Sequence, residues 1–330
     1  MVSQSIGQRV RMVMAGCLIM ALAVGLWIWR RYASQAPPER PSSTTPVSAH
    51  QLLATAAARR AKSPSIPGLH PGVPQLVPGL EEVDTAWTPS LSDDLCTIVF
   101  AASDDTKSAY ELYIADRPNV SSAFANLHAI ESCASRGHNI KPTLSPDGLE
   151  LIFVRLEAKS LFYYAQRSSR SSEFGEPAGW PESKIARPDQ RVCMARFLDP
   201  LHVLISVENT ASQPHFLFFV VERASQSAAF GPPQSIALEG CGGVVCLRPN
   251  RLVGYYGIDK GLFVQARSNL EEALNTRVCL VDAAVCGAVA GPIWVAPAED
   301  VAFYCSAGPG QRSGRKNLWM IRFPDAGISK

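Results

Sequence analysis

Short apolar segments that end in arginine recur at long intervals through residues 80–330. Their arginines step by 50, 56, 44 and 55 residues and are Arg117, Arg167, Arg223, Arg267 and Arg322. In the first four copies an apolar residue stands seven positions after the arginine, namely Phe124, Phe174, Phe230 and Leu274. Repeats of this length are typical of propellers and solenoids, in which each copy folds into one supersecondary unit.

A tight turn and a strand precede each of these segments. The clearest copy is Ser145-Pro146-Asp147-Gly148, followed by an apolar run that ends at Phe153. Proline presets φ, aspartate bonds the local backbone and glycine accepts positive φ. Further apolar runs follow the arginine segments, as at residues 234–238 and 277–281. Four short antiparallel strands in each unit predict an all-β propeller of five blades, because a linear β-solenoid has shorter rungs.

The segment from Pro142 to Phe153 resembles the repeat of the bacterial WD40-like (PD40) family, which also builds the propeller of TolB-like periplasmic proteins. The family's mark is a Ser-Pro-Asp-Gly turn before a strand. The second copy alone carries all four residues, and the other copies match in spacing. The resemblance implies the propeller fold and, as a function, the binding of proteins or carbohydrates in the cell envelope.

The predicted blade units span residues 88–132, 140–186, 192–238, 243–282 and 291–330. After Arg322 only eight residues remain, too few for a connector and a fourth strand. We therefore expect residues 80–84 to complete the last blade. Closing the ring in this way removes an exposed sheet edge.

An uncharged stretch at residues 12–29 predicts one transmembrane helix after a short tail, residues 1–11. Its 18 residues would cover roughly 27 Å as a helix, close to the hydrocarbon thickness of a bilayer. Interfacial aromatic residues stand at its end: Trp27, Trp29 and Tyr32. A buried core helix and a cleaved signal peptide are the alternatives. The latter is disfavoured because two arginines follow the stretch, with no good small-residue cleavage site.

Residues 30–79 are rich in proline and serine, which predicts an extended linker between anchor and propeller. The expected arrangement is a single-pass membrane protein with a periplasmic or otherwise extracytoplasmic propeller. Arginines flank the apolar stretch on both sides, so its orientation is not fixed by charge. A propeller tethered to the inner face of the membrane therefore remains an alternative.

Charge and motifs exclude several classes of function. The net charge is +2, with 31 basic and 29 acidic residues, which argues against nucleic acid as a partner. We find no nucleophile elbow, zinc-protease motif or phosphate-binding glycine loop, so no catalytic residue, metal or cofactor is expected. The polar cluster Arg136, His138 and Asn139 precedes the first strand of the second blade, near the expected mouth of the channel. These residues are the candidates for binding.

Eight cysteines lie outside the apolar stretch. Four of them stand at similar places in their units: Cys133, Cys193, Cys241 and Cys286. Disulfides between blades and buried thiols both fit this pattern.

The sequence thus favours a non-enzymatic, membrane-anchored propeller that presents a binding face to a protein or glycan. The alternative is a propeller-type polysaccharide hydrolase or lyase. Such an enzyme needs separated carboxylates in the central channel, and the predicted first strands offer almost none.

Overall fold

The computed structural model describes residues 69–83, 85–103, 109–181, 185–187, 189–209, 215–238, 245–270, 274, 276–289, 291–309 and 315–323. Its strands form five antiparallel sheets of four strands each, which confirms the five-bladed propeller. Within this part of the chain, no helix is long and apolar enough to cross a membrane. The predicted transmembrane helix at residues 12–29 lies outside the described residues.

The strands follow the chain blade by blade, after the strand β1 (Gln75–Leu76). The first blade contains β2 (Ala86–Leu91), β3 (Thr97–Ala102), β4 (Glu111–Asp116) and β5 (Ala125–Ala129). A 3-10 turn (Glu131–Cys133) leads to the second blade. That blade contains β6 (His138–Leu144), β7 (Glu150–Leu156), β8 (Ser160–Gln166) and β9 (Ala178–Gly179).

The third blade contains β10 (Gln190–Asp199), β11 (His202–Asn209), β12 (His215–Glu222) and β13 (Gln234–Ile236). The fourth contains β14 (Cys246–Leu247), β15 (Val253–Ile258), β16 (Gly261–Ala266) and β17 (Thr276–Asp282). A short helix α1 (Ala283–Cys286) follows it. The fifth blade contains β18 (Trp294–Val295), β19 (Val301–Ser306) and β20 (Asn317–Arg322), together with β1.

The ring is closed by N-terminal chain, but not by the predicted residues 80–84. Strand β1 pairs with β20, with Gln75 opposite Met320 and Leu76 opposite Trp319. The chain then turns, because the Leu80 N–H donates to the Val77 carbonyl (3.0 Å). Leu80 is 1% exposed and packs in the core between the fifth and first blades. The apolar residue that suggested a strand at 80–84 is therefore a core contact of a turn, and the closing strand lies in the segment assigned to the linker.

The Ser-Pro-Asp-Gly turn of the second blade is held by its own side chains. Ser145 Oγ donates to Asp147 Oδ1 (2.6 Å), and Gly148 adopts φ +79°. Glycine enters this left-handed region without a Cβ penalty. The first blade builds the same turn without the glycine, since Ser92 Oγ donates to Asp94 Oδ1 (2.6 Å). The degenerate copies of the repeat thus keep the turn while losing parts of the motif.

The recurring arginine joins the third strand of a blade to that turn. In the first four blades its Nε donates to a turn carbonyl, that of Leu95 (2.7 Å), Gly148 (2.8 Å), Pro200 (2.9 Å) and Arg251 (2.9 Å). In the first three, its guanidinium also lies over the phenylalanine seven residues later, 4.4, 4.9 and 4.7 Å from the ring centroid. A cation–π contact contributes about 0.5–2 kcal/mol. The cation–π contact between the arginine and the phenylalanine therefore accounts for the recurring interval of seven residues.

The fifth arginine is not equivalent to the other four. Each of those directly follows the end of its strand, whereas Arg322 lies within β20 and pairs with Val301. The equivalent residue is Phe323, whose N–H donates to the Asp300 carbonyl (2.8 Å). Its ring stacks on Tyr255 of the fourth blade at 5.8 Å. The prediction for the fifth copy was thus wrong by one residue, and an aromatic contact replaces the arginine.

The described cysteines are thiols. None of these seven forms a disulfide: Cys96, Cys133, Cys193, Cys246, Cys279, Cys286 and Cys305. Five are buried, Cys96 is partly buried and Cys279 is exposed. Cys241, the remaining member of the group considered for disulfides, lies outside the described residues. The buried-thiol alternative therefore holds for this part of the chain.

Candidate functional site

The first strand of each blade faces the axis of the ring. A small cavity of about 40 Å³ is lined by residues of all five first strands and the turns that follow them. Neighbouring first strands also bond to each other: the Leu144 N–H donates to Ser90 Oγ (2.9 Å), and the Phe197 N–H to Thr143 Oγ1 (3.4 Å). We call this small space the axial cavity.

A wider cavity of about 420 Å³ lies at the ends of the same strands where the blades begin. We call it the aromatic pocket, and its principal side chains are Trp87, Tyr110, His138, Ile140, Lys141 and Pro292. They come from the first, second and fifth blades. The propeller therefore presents a concave surface between blades at this mouth of the channel.

Backbone irregularities bring two of the pocket's residues into place. The pairing of β2 with β3 shifts between Trp87 and Ser90, and that of β6 with β7 shifts between Ile140 and Thr143. Thr88 and Lys141 occupy equivalent places in these bulges, with φ of +54° and +52°. A bulge re-aims side chains relative to a regular strand. The bulges therefore decide which side chains border the pocket.

Three rings pack in series along one wall of the pocket. Trp87 and Tyr110 meet edge to face, with centroids 6.2 Å apart and planes at 84°. The centroids of Tyr110 and His138 are 5.9 Å apart. The Tyr110 N–H donates to His138 Nδ1 (3.2 Å), so this nitrogen is unprotonated and the proton of the neutral ring is on Nε2. The wall thus offers apolar area together with an N–H donor.

Two lysines give this region positive charge. Lys316 Nζ lies 3.8 Å from the ring centroid of Trp87, and burial lowers the pKa of this amine. Lys141 Nζ donates to Cys193 Sγ (3.2 Å) at the inner edge of the pocket. The described residues that line the pocket include no carboxylate. Apolar and negatively charged groups of a partner would both find complementary surface here.

The three candidates from the sequence lie in different environments. His138 lines the aromatic pocket, and Arg136 is exposed. Asn139 is 1% exposed, and its Nδ2 donates to the Cys133 carbonyl (3.0 Å). Its Oδ1 accepts from Arg155 Nε (2.9 Å), so this side chain holds the turn before β6. Only His138 among them is placed to contact a ligand in the pocket.

Trp87, Tyr110 and Lys141 were not identified from the sequence. A signal was present, because Thr88-Pro89-Ser90-Leu91-Ser92 aligns with Lys141-Pro142-Thr143-Leu144-Ser145. This alignment places Thr88 and Lys141 at equivalent positions of the first and second blades.

Acid–base chemistry would need carboxylates along the axis. Of the described residues that line the aromatic pocket and the axial cavity, only Asp93 is acidic. Burial raises the pKa of Asp93, and the charge of Arg248 opposes this shift. Among the described residues, no group of three or more histidine, cysteine, aspartate or glutamate side chains is arranged to hold a metal ion.

Comparisons with known proteins find structural neighbours of low similarity. No protein-family model and no curated protein matches the chain. TolB from Acinetobacter baumannii is among its structural neighbours, with 12% identity and a TM-score of 0.42. The match covers 73% of this chain and 56% of TolB, so the chain spans little more than half of that structure.

Two further neighbours are of similar likeness. The catalytic domain of a GH62 α-L-arabinofuranosidase from Coprinopsis cinerea has 11% identity and a TM-score of 0.42, covering 77% of this chain and 98% of that one. A protein of unknown function from Dyadobacter fermentans has 9% identity and a TM-score of 0.47, covering 78% and 100%. Such values carry no argument about function, which rests on the residues of the site.

Proposed function

We propose that this protein is a non-enzymatic, membrane-anchored binding protein whose propeller captures a protein or glycan of the cell envelope in the aromatic pocket. The observation that carries the proposal is the aromatic wall of that pocket with Lys141 beside it and Lys316 against Trp87, and with no carboxylate among the described lining residues. Aromatic side chains are enriched at recognition surfaces, and the lysines complement negative charge on a partner. The partner accordingly carries apolar and negatively charged groups.

A site-specific crosslinker tests the binding face. A photoreactive amino acid at Tyr110, in the full-length protein in intact cells, should give defined crosslinked products. The matched control is the same amino acid at Leu161, which is 40% exposed on the second blade and does not line the pocket. Adding Lys141→Glu should reduce the Tyr110 products at least several-fold. Equal products from both positions, or none from Tyr110, would contradict the proposal.

Mass spectrometry of the Tyr110 products separates the two partner classes. If the partner is a protein, the products contain crosslinked peptides. If the partner is a glycan, the purified protein should bind acidic oligosaccharides on an array, and Trp87→Ala should abolish that binding. The enzymatic alternative has less support, because glycosidases need a pair of carboxylates and, of the described residues along the axis, Asp93 alone is acidic. Turnover of acidic polysaccharides that depends on Asp93 would favour that alternative.

The location is a separate part of the proposal, supported by the apolar stretch at residues 12–29 and the linker after it. Cys279 is an exposed thiol and reports which side of the membrane the propeller occupies. A membrane-impermeant maleimide should label it in cells whose cytoplasmic membrane is intact and whose outer barrier has been opened. Labelling only after lysis of the cytoplasmic membrane would place the propeller inside, as the inner-face alternative requires. Release of the domain without alkaline or detergent treatment would contradict the anchor.

A further inference from the structure

Five equivalent residues surround the axis where the first strands come closest. Register with the second strands aligns Ser90, Thr143, Arg196, Cys246 and Trp294, and all five are buried. We call this set the axial ring. In the first two blades a short hydroxyl side chain accepts a hydrogen bond from the next first strand. Arginine in the third blade departs from that pattern.

The Arg196 side chain extends from the third blade to the fifth. Its Nη1 donates to the carbonyl of Ile293, which precedes the first strand of the fifth blade. The side chain is fully enclosed, with the residue 6% exposed, and burial lowers the pKa of the guanidinium. A guanidinium has five N–H donors, so one carbonyl leaves most of them for other acceptors.

No carboxylate among the described residues pairs with Arg196. The acidic groups nearby face Arg248: Glu299 lies 3.7 Å from its Nε, and Asp93 interacts with its charge. The charges that act on Arg196 itself come from Cys246, which is a thiol, and from Arg248, which repels it. A buried cation without a counter-charge is costly, and proteins rarely keep one.

The axial cavity adjoins both this guanidinium and Thr143. The hydroxyl oxygen of Thr143 accepts from the Phe197 N–H, which leaves its own proton to donate. The cavity of about 40 Å³ exceeds the roughly 10–15 Å³ that one water requires. A guanidinium and a hydroxyl that border a cavity of this size suit a monatomic or similarly small anion.

We propose that the axial cavity is a binding site for a small monovalent anion of the size of chloride, held by Arg196 and Thr143. The anion neutralises the buried guanidinium and adds a link between the first strands of the neighbouring second and third blades. It thereby stabilises the closed ring and is independent of any ligand in the aromatic pocket.

Thermal unfolding of the full-length protein in detergent micelles tests this site. Chloride or bromide replaces gluconate, which is too large for the cavity, at constant ionic strength. The melting temperature should rise saturably, by about 5–10 °C at a hundredfold excess over Kd. Arg196→Gln should abolish the rise. Arg191→Gln is the matched control, since Arg191 is on the same strand with its side chain 59% exposed, and it should keep the full rise.

Bromide in crystals of the unmodified protein gives a second readout that does not depend on the folding of a variant. An anomalous peak beside the Arg196 guanidinium supports the site, and its absence at saturating bromide overturns it. Equal melting in chloride and gluconate overturns the proposal, as does a halide-dependent rise that Arg196→Gln retains. If Arg196→Gln does not fold, Arg196→Lys should keep the charge and a weaker halide dependence.

Discussion

Replacing Glu150 by alanine should destabilise the propeller strongly, because Glu150 joins the second and third blades. Its carboxylate receives two bonds from Arg223, Nη1–Oε1 at 2.7 Å and Nη2–Oε2 at 2.5 Å. The side chains of Arg223 and Glu150 are 2% and 6% exposed, so water screens the pair little. Glu150 also accepts a hydrogen bond from the hydroxyl of Tyr164.

The magnitude follows from what each substitution leaves behind. Glu150→Ala leaves a buried guanidinium that still donates to the Pro200 carbonyl (2.6 Å) but has lost its counter-charge. Removal of one partner of a buried pair costs about 3–5 kcal/mol. Arg223→Met leaves a buried carboxylate without its counter-charge. The double variant buries no unpaired charge, so its loss should be smaller than the sum of the two single losses.

Urea unfolding of the full-length protein, followed by circular dichroism at pH 7, gives the free energies for this double-mutant cycle. The matched control is the pair Arg191–Glu208, whose Nε–Oε2 distance is 2.6 Å but whose side chains are 59% and 17% exposed. Removing either of these partners should cost about 0.2–1 kcal/mol. The reasoning is refuted if Glu150→Ala costs no more than Glu208→Ala, or if the two losses in the Glu150–Arg223 cycle simply add.

Three smaller effects can be measured with the same preparation. Gly148→Ala should cost about 1–2 kcal/mol because of its φ of +79°, while Gly179→Ala, with open space and no positive φ, should cost under about 0.5 kcal/mol. Burial acts to raise the pKa of Asp94, but hydrogen bonds led by that from Arg170 outweigh it and lower the pKa below 3.8. Its contribution is present above pH 3.8 and lost as the pH falls through the lowered pKa, so Asp94→Asn should flatten the acid limb of the stability profile. In native protein a maleimide should modify Cys279 well before the buried thiols, because burial raises the pKa of Cys133 to about 11 and of Cys286 to about 12. Modification of Cys133 or Cys286 as early as Cys279 would contradict their burial.

The repeat made the blades predictable because its spacing is set by contacts within each blade. The seven residues from Arg117 to Phe124 are the span of a cation–π contact, and Ser145 and Asp147 bond within one turn. Such local contacts require similar residues at the same spacing in each copy, so they produce a repeat in the sequence. In the fifth blade Phe323 takes the place of the arginine and contacts Tyr255 of the neighbouring blade. A pattern of residues within one repeat does not predict a contact between two blades.

The site was less predictable because it is assembled across blades. Trp87, Tyr110 and His138 are far apart in the chain and meet only when the ring closes. Lys141 reaches the pocket through a bulge with positive φ, a conformation that lysine does not favour by itself. The prediction of a closing strand at residues 80–84 was wrong for a related reason, because Leu80 contacts the core from a turn. Apolar spacing predicts burial, and it does not distinguish a strand from a buried turn.

The closure of the ring by β1 also determines how the domain responds to mechanical load. Two residue pairs join this strand to the fifth blade, flanked by bonds from the Gly72 N–H to the Arg322 carbonyl (2.8 Å) and from the Val77 N–H to the Leu318 carbonyl (3.0 Å). Tension entering from the N-terminal side acts on these few bonds before it reaches the longer pairings of the other blades. Under force the pairing of β1 with β20 should therefore break first, which opens the ring while the strands of the other four blades remain paired.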